Sequence, residues 1–316
     1  MPLRVRIKMA NRRRRARKDK PGPAGFLVVD KPAGMTSHDV VDMARGWLGI
    51  QRIGHLGTLD PQATGVLPLA IRGATKLVPF LQAARKRYFG TVRLGKTTDT
   101  LDGEGTVISE YEGALPRESE VQKALEQFKG TIEQIPPMYS AVKRDGVPLH
   151  RLARKGEEVE REPKTVVVHR LDLLRFESPS LEIEVECGAG TYVRTLAHDL
   201  GQALGCGAYL SGLRRLGSAP FDIQEAHSPE VFEKAIQEGG LETVLVPPEK
   251  ALGLAVIRLA PPAVQRIESG GDISPGEIER ERPGTQVSAL DTKGRMVAIL
   301  ELSADRRLRP VRVLPA

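Results

Sequence analysis

The alternation of apolar and polar positions predicts several strands in the first two thirds of the chain. Residues 181–187 alternate strictly, and similar patterns cover residues 87–94 and 166–176. A period of two indicates a strand with one buried face. The uninterrupted apolar run at residues 25–30 predicts a short strand buried on both faces. These segments favour an α+β fold whose sheet is assembled from distant parts of the chain.

Apolar residues spaced three and four apart predict helices between these strands. Ser37 is the expected cap of one helix, with Val40 and Ala44 on its buried face. Residues 118–128 form an amphipathic pattern, and residues 190–204 are typical of a turn followed by a helix. Ser228 and Pro229 together mark another helix start, since proline is favoured in the first helical position.

Residues 51–68 fit neither a helix nor a strand pattern. Gly54, Gly57, Pro61 and Gly65 interrupt a stretch of small polar residues. We therefore expect a shaped loop held between apolar anchors.

The last quarter of the chain has a different organisation. Residues 246–253 resemble a linker, and the short apolar segments beyond it are separated by glycine and proline turns. That pattern predicts a small all-β barrel of roughly 65 residues. The resulting division has three parts: an arm at residues 1–24, a main domain at residues 25–247 and a C-terminal domain at residues 248–316.

Composition narrows the class of protein. The 316 residues are 40% hydrophobic and 28% charged, which excludes a disordered chain, a collagen and a coiled-coil rod. Two cysteines, Cys187 and Cys206, are too few for a disulfide framework or a four-thiolate zinc site. No apolar run approaches the roughly 20 residues that span a bilayer, and no secretory signal is present. A cytoplasmic protein is the expectation.

The positive charge is concentrated at the N-terminus. Net charge is +7, yet residues 1–20 contain ten Lys or Arg and a single acid, Asp19. The rest of the chain is therefore close to neutral. The arm is either a polyanion-binding segment or a disordered start without a role.

Asp60 is the residue with the sharpest candidate chemistry. It precedes Pro61 in a glycine-framed loop, and a residue before proline is held in extended geometry. From composition alone, Asp60 is either a turn-capping side chain or a carboxylate nucleophile or base.

A set of motifs around this loop resembles the TruB family of tRNA pseudouridine synthases. The motifs follow the family's order and spacing between about residues 25 and 220: Asp30-Lys-Pro-Ala-Gly-Met35, the loop at residues 54–68, Lys86-Arg-Tyr88, Leu94-Gly-Lys-Thr-Thr-Asp-Thr-Leu-Asp-Gly-Glu-Gly105, Gln134-Ile-Pro-Pro-Met-Tyr-Ser-Ala-Val-Lys143, Gly190-Thr-Tyr-Val-Arg-Thr195 and Tyr209-Leu-Ser-Gly-Leu-Arg-Arg-Leu216. Any one of them is weak, but together they are specific.

The resemblance implies roles for individual residues. Asp60 matches the essential aspartate, Tyr88 the tyrosine that stacks on the uracil and can take its C5 proton, and Arg194 the arginine that pairs with the carboxylate. A nearby guanidinium favours the ionised carboxylate and can bind it through two nitrogens. The remaining matches are Lys31 and Pro32 in a motif near the site, His55 stacking in the RNA, Tyr192 and Leu213 lining the base pocket, and Asp102 in a less defined role.

The same resemblance implies a fold and an activity. The expected fold is a pseudouridine synthase domain, with a mixed, mostly antiparallel sheet and flanking helices, followed by a PUA-like barrel. The expected reaction converts the T-loop uridine of tRNA, position 55 by tRNA convention, without a cofactor or a metal. The expected partner is the T-arm and elbow of tRNA, bound by a monomer that needs neither a protein partner nor a membrane. The segment from residue 138 to 161 would be a mobile RNA clamp, and its Arg and Lys residues suit phosphate contacts.

Three alternatives stay open at this point. One is an RNA-guided synthase of the dyskerin-like branch, although the wording of residues 63–68 and 137–141 looks like the stand-alone branch. A second is an RNA chaperone that folds tRNA by inserting into its elbow. A third is a hydrolase with a carboxylate nucleophile, which needs a second acid at a fixed separation.

Overall fold

A computed structural model describes residues 22–140, 142–144 and 146–314. Residues 1–21 of the predicted basic arm lie outside the described residues.

The chain forms a main sheet, a C-terminal sheet and two small hairpins. The strands are β1 (Gly25–Lys31), β2 (Ile53–His55), β3 (Thr64–Ile71), β4 (Lys86–Leu94), β5 (Lys96–Thr98), β6 (Val107–Glu110), β7 (Gly130–Gln134), β8 (Lys143–Arg144), β9 (Val147–Pro148), β10 (Lys164–Glu177), β11 (Ser180–Cys187), β12 (Ala208–Ser218), β13 (Phe221–Asp222), β14 (Ala255–Arg258), β15 (Gln286–Leu290), β16 (Met296–Leu302) and β17 (Leu308–Val313).

Helices flank these sheets. They are α1 (Ser37–Leu48), α2 (Val78–Leu81), α3 (Glu118–Leu125), α4 (Leu149–Ala153), α5 (Val193–Ala203), α6 (Pro229–Gln237), α7 (Leu241–Val244), α8 (Pro248–Leu252) and α9 (Pro261–Glu268). No helix among the described residues has both the length and the apolar character needed to cross a bilayer.

The main sheet is mixed and mostly antiparallel, as predicted. Its order is β1-β3-β12-β4-β11-β10-β7, with β2 added beside β3 and β13 beside β12. Only β3 and β12 run parallel along this path. The sheet thereby brings β12, late in the chain, next to the loop between β2 and β3.

The alternating strands bury one face against helices. β11 alternates fully along its length, and its apolar residues Leu181, Ile183 and Val185 join the largest core cluster. Val40 of α1 and Leu196 of α5 belong to the same cluster. Helix packing on this face places the first turns of α1 and α5 near the β2–β3 loop.

Two local predictions are corrected by the structure. Residues 51–68 are not irregular throughout, because β2 and the start of β3 lie within them. Thr36, not Ser37, caps α1, and it exchanges hydrogen bonds with Asp39 in a capping box. Ser37 is instead the first helical residue, and its hydroxyl is used elsewhere.

Gly65 shows why the loop ends in glycine. It has a φ of +100°, and a Cβ placed there would lie 2.2 Å from the carbonyl oxygen of Arg215. The parallel contact of β3 with β12 therefore requires a residue without a side chain at this position.

The C-terminal strands lie at the predicted positions. β14, β15, β16 and β17 form a four-stranded sheet in that order, and α9 packs on its core. The ladder does not close among the described residues, so this small PUA-like unit is an open sheet and not a closed barrel. The predicted linker is partly helical as α8, and Val246 pairs with Phe26 of β1.

A long excursion leaves the main sheet between β7 and β10. Gln134 ends β7 and pairs with Lys164, the first residue of β10. We call residues 135–163 the excursion. It contains the β8–β9 hairpin and α4, and it includes the segment that sequence analysis assigned to an RNA clamp.

Candidate active site

Asp60 lies in the loop that connects β2 to β3, and a buried arginine fixes both ends of that loop. Arg215 of β12 is only 1% exposed. Its guanidinium donates to the carbonyl oxygens of Gly57 at 3.1 Å, Thr58 at 3.4 Å and Val66 at 2.6 Å. Hydrogen bonds from a charged donor are stronger than neutral ones, so this arginine sets the backbone on both sides of Asp60.

Lys31 fixes the tip of the same loop from below. Its side chain is fully buried, and the amine donates to the carbonyl oxygens of Pro61 at 2.9 Å, Met35 at 2.7 Å and Pro32 at 2.8 Å. Burial lowers the pKa of Lys31 to about 8, while the charge of Asp60 opposes that shift. Lys31 and Pro32 therefore support the loop and do not line the cleft.

Ser37 provides a third attachment. The backbone N–H of Leu59 donates to its hydroxyl at 2.8 Å, and the hydroxyl donates to the Leu59 carbonyl at 3.1 Å. The residue immediately before Asp60 is thus held by α1, and the orientation of the carboxylate follows from three separate elements.

Arg194 lies at the centre of the site. Its side chain is 6% exposed, and Nη2 contacts Oδ1 of Asp60 at 3.1 Å. The same Nη2 donates to the carbonyl oxygen of Tyr139 at 2.8 Å, while Nη1 contacts Oδ2 of Asp102 at 3.3 Å. Arg194 therefore binds Asp60 through one nitrogen, not the expected two, because it is shared with Asp102 and the excursion.

Asp102 is itself held in place. Its Oδ1 accepts hydrogen bonds from the Thr100 hydroxyl at 2.6 Å and from the Glu104 N–H at 3.1 Å. Its remaining oxygen is free to meet Arg194. By contrast, no described residue donates to Oδ2 of Asp60, whose side chain is 39% exposed.

A cleft of about 550 Å³ opens beside this network. Asp60, Asp102, Arg194 and Leu213 line it, with Ala63 and Leu210 adding apolar surface. Charged groups therefore sit on one part of the wall and aliphatic side chains on another. Such a cavity suits a small polar ring that needs both a flat contact and a reacting group.

The ionisation of Asp60 reflects competing influences. Burial raises the pKa of Asp60, Arg194 acts against this, and Asp102 and Glu104 raise it further. The net direction is upward, although sequence analysis emphasised the arginine. The carboxylate is consequently more basic than an ordinary aspartate, which favours proton transfer and nucleophilic attack.

Tyr88 of β4 is buried beside the loop and does not line the cleft in this structure. Burial raises the pKa of its hydroxyl, whereas the charge of Arg215 and a hydrogen bond to it act in the opposite direction. The structure thus brings Tyr88 into the electrostatic surroundings of Asp60 without opening its ring to solvent.

Tyr192 and His55 lie at the margins of the site. Tyr192 is half-buried, and burial raises the pKa of its hydroxyl, with the side chain of Ser140 acting against that shift. His55 of β2 accepts a hydrogen bond from the Gly57 N–H through Nδ1 at 3.3 Å. Burial lowers the pKa of His55, so its ring is neutral at neutral pH.

Sequence analysis missed three residues that shape this site: Arg215, Ser37, and Gln134 of β7, whose side chain hydrogen-bonds the backbone of Tyr192. Arg215 and Gln134 occur in the motifs quoted above, but their contacts are to backbone atoms, which leave no pattern in a sequence. Arg215 offered one signal, since it stands at a buried position of a strand and a lone buried cation needs partners.

Comparisons with known proteins show which family the chain is similar to. Residues 45–193 match the family described as TruB family pseudouridylate synthase (N terminal domain). Residues 194–253 match the tRNA pseudouridylate synthase B C-terminal domain. A "tRNA pseudouridine synthase B" from Syntrophotalea carbinolica is 43% identical, covering 83% of this chain and 87% of that protein. One from Pseudomonas paraeruginosa is 42% identical, covering 92% of this chain and 96% of that protein.

Solved structures are similar over most of the chain. A chain of a Cbf5-Nop10-Gar1 complex is 28% identical with a TM-score of 0.67, covering 92% of this chain and 84% of that one. A chain of an H/ACA RNP bound to a substrate RNA containing 2'-deoxyuridine is 25% identical with a TM-score of 0.66, covering 92% of this chain and 85% of that one. The sheet order, the Asp60 loop and these matches lead to one conclusion: the chain belongs to the TruB family of pseudouridylate synthases.

Proposed function

We propose that this protein is a tRNA pseudouridine synthase that isomerises the T-loop uridine at position 55. The contact of Arg194 with Asp60 inside a cleft is the observation that carries the proposal. Family membership supplies the reaction class, and the curated relatives are named for tRNA. The T-loop position rests on the resemblance of the motifs.

The reaction rearranges one nucleotide without a net gain or loss of atoms. The N1–C1′ bond of uridine breaks, the base turns, and a C5–C1′ bond forms. The C5 proton then leaves, and N1 ends protonated. Asp60 acts in its ionised form by adding to the ring, adding to the sugar or removing a sugar proton. Its Oδ2, which no described residue hydrogen-bonds, is the oxygen available for that step.

The neighbours of Asp60 have distinct roles in this proposal. Arg194 orients the carboxylate and keeps it reactive, with Asp102 holding the guanidinium. Leu213 and Tyr192 bound the base pocket, and Tyr88 stacks on the uracil and takes the C5 proton. Since Tyr88 is buried here, this role requires the bound base to reach it.

The uridine must leave its stack to enter the cleft. Flipping a base out of a folded RNA costs a few kcal/mol. His55, which is neutral and half-buried at the edge of the loop, fills the vacated stack and offsets part of that cost. Exposed cations of the excursion, including Arg144, Arg151 and Arg154, contact phosphates of the T-arm.

The proposal is tested with purified protein and an unmodified tRNA transcript. Carbodiimide treatment followed by reverse transcription maps any pseudouridine formed. We expect a single new stop in the T loop without added guide RNA. A stop that appears only with a guide RNA would favour the RNA-guided alternative, and a folded tRNA without modification would favour the chaperone.

Replacing Tyr88 separates proton transfer from stacking. We expect Tyr88→Phe to slow single turnover by about 10²-fold, because a positioned base contributes roughly 10²–10⁴ in rate. Binding of tRNA should change by less than about three-fold. Tyr88→Leu, which also removes the aromatic face, should be slower still. A Phe variant as fast as the wild type would leave Tyr88 with stacking alone.

The acid limb of the rate profile tests the charge around Asp60. The pKa of Asp60 is raised in part by Asp102, and activity needs the ionised form. Activity should therefore be lost as the pH falls through this raised value. In Asp102→Asn the limb should move to lower pH, while Asp99→Asn in the same segment should not move it. If the acid limb of the rate profile stays in place in Asp102→Asn, the assignment of this limb to the ionisation of Asp60 beside Asp102 is contradicted.

The basic arm is expected to contribute affinity and not chemistry. Each phosphate contact adds roughly 0.7–0.9 to the slope of log affinity against log salt. If three of the ten cations in residues 1–20 bind tRNA, deleting residues 1–24 should flatten the slope by about two units. Binding measured at several salt concentrations checks this, and parallel slopes would show that the arm does not touch tRNA.

A further inference from the structure

Gln134 forms hydrogen bonds with the backbone of Tyr192, and the proposed reaction assigns this side chain no role. Its side chain is only 2% exposed, and its Oε1 accepts a hydrogen bond from the Tyr192 N–H at 3.0 Å. Its Nε2 donates to the Tyr192 carbonyl oxygen at 3.2 Å. The amide thus pairs with one residue's backbone through two opposed hydrogen bonds, which restrains both its distance and its orientation.

The paired backbone is the start of α5. Tyr192 occupies the N-cap position of that helix, and no side chain of its own caps it. Its carbonyl already accepts the first helical hydrogen bond, from Leu196 at 3.1 Å. Gln134, from a different element, accepts from the Tyr192 N–H, which is the donor that a Glu or Gln at N3 binds in a capping box. Arg194 follows two residues later in the first turn, so the placement of this helix end sets the position of its guanidinium.

Gln134 is also the residue at which the excursion leaves the sheet. It is the last residue of β7 and is paired with Lys164 of β10. Five residues further on, the Tyr139 carbonyl accepts from Nη2 of Arg194 at 2.8 Å, and the side chain of Ser140 interacts with Tyr192. The first residues of the excursion therefore contact the Tyr192–Arg194 segment through Tyr139 and Ser140, and Gln134, the buried residue immediately before the excursion, contacts the same segment.

We propose that Gln134 is a positioning residue that clamps the start of α5 to the base of the excursion and thereby holds Arg194 on Asp60. The expected effect on the rate of turnover rests on the proposed function, whereas the expected displacement of Arg194 does not. A shift of about 1 Å in a group that orients a reacting atom can cost 10²-fold in rate. The amide of Gln134 thus adds a second connection between the base of the excursion and the Asp60 carboxylate, beside the contact of the Tyr139 carbonyl with Arg194.

The test compares Gln134→Met with Gln286→Met. Methionine preserves the length of the side chain but makes neither hydrogen bond to Tyr192. Gln286 is a half-buried strand residue in the C-terminal sheet and donates to Glu301 at 2.9 Å. We expect Gln134→Met to slow single turnover on tRNA by about 10- to 100-fold, with affinity within three-fold of wild type. Gln286→Met should keep the wild-type rate.

A second readout does not depend on activity. The groups that act on the Asp60 carboxyl are Arg194 from α5, Lys31 from β1, and Asp102 and Glu104 from the adjacent loop. Of these, the proposal moves only Arg194, whose charge lowers the pKa of Asp60. A carbon-13 titration, assigned with Asp60→Asn, should therefore show a higher Asp60 pKa in Gln134→Met than in wild type.

The outcomes separate the two proposals. An unchanged Asp60 titration in a folded Gln134→Met protein would overturn the positioning role, whatever the activity. A raised Asp60 pKa in Gln134→Met would support the positioning role. If the wild-type protein in the same experiments modifies no tRNA, the positioning role stands and the proposed function is overturned. If Gln134→Met does not fold, Gln134→Asn keeps a polar amide but is too short to reach Tyr192, and the same result is expected from it.

Discussion

Asp60→Asn should reduce single turnover by roughly 10⁴-fold or more, because the amide can neither add to the substrate nor accept a proton as a carboxylate does. Affinity for tRNA should stay within about three-fold, since the side chain makes only one hydrogen bond and the loop is fixed by Arg215, Lys31 and Ser37. The measurement is a single-turnover assay with the enzyme in excess, alongside a binding titration.

Stability gives an independent check on the same variant. Because burial raises the pKa of Asp60, the ionised carboxylate destabilises the folded protein above that pKa. Asn removes that cost, so the variant should melt no lower than wild type at pH 7–8. The exposed Asp42→Asn on α1 serves as the control and should keep full activity. Retention of more than a few per cent of turnover by Asp60→Asn would exclude Asp60 as the reacting group.

The strands could be predicted from sequence because each has a consistent period. β11 and β4 alternate along nearly their whole lengths, and one buried face fixes the phase of such a strand. β2 could not be predicted in the same way. It has three residues, contains Gly54, and is defined by its pairing with the end of β3, beyond the part of β3 that β12 pairs.

The order of the motifs was enough to identify the candidate site from the sequence. The arrangement of its side chains could be described only once the fold was known. Asp60 and Arg194 are 134 residues apart, and no local pattern connects them. Arg215 and Gln134 form hydrogen bonds with backbone atoms. Every residue has these atoms, so the residue types of the partners do not reveal the contacts. The direction of the Asp60 pKa likewise depends on burial, which a sequence does not report and which here outweighs the neighbouring arginine.

Removing the charge of Arg194 should have the second largest effect. In Arg194→Gln the side chain no longer neutralises Asp60 and Asp102, two carboxylates in one cleft wall. Breaking a fully buried pair by removing one partner typically costs about 3–5 kcal/mol, and the 39% exposure of Asp60 reduces that figure. We expect a loss of about 1–3 kcal/mol near pH 8, and single turnover slower by roughly 10²–10³ because the carboxylate is no longer oriented.

The pH dependence distinguishes this loss from a general packing defect. Without Arg194, the larger of the two charges that lower the pKa of Asp60 is gone and only that of Lys31 remains, so this pKa rises further. Asp60 then destabilises the fold above its new pKa, and stability should recover as the pH falls through that value. Chemical denaturation of Arg194→Gln at pH 8 and pH 5.5 should show a smaller deficit at the lower pH. Arg87→Gln breaks a half-exposed pair with Asp222, so it should cost at most about 1 kcal/mol at either pH. An equal deficit for Arg194→Gln at both pH values would mean that Arg194 acts through packing and not through its charge on Asp60.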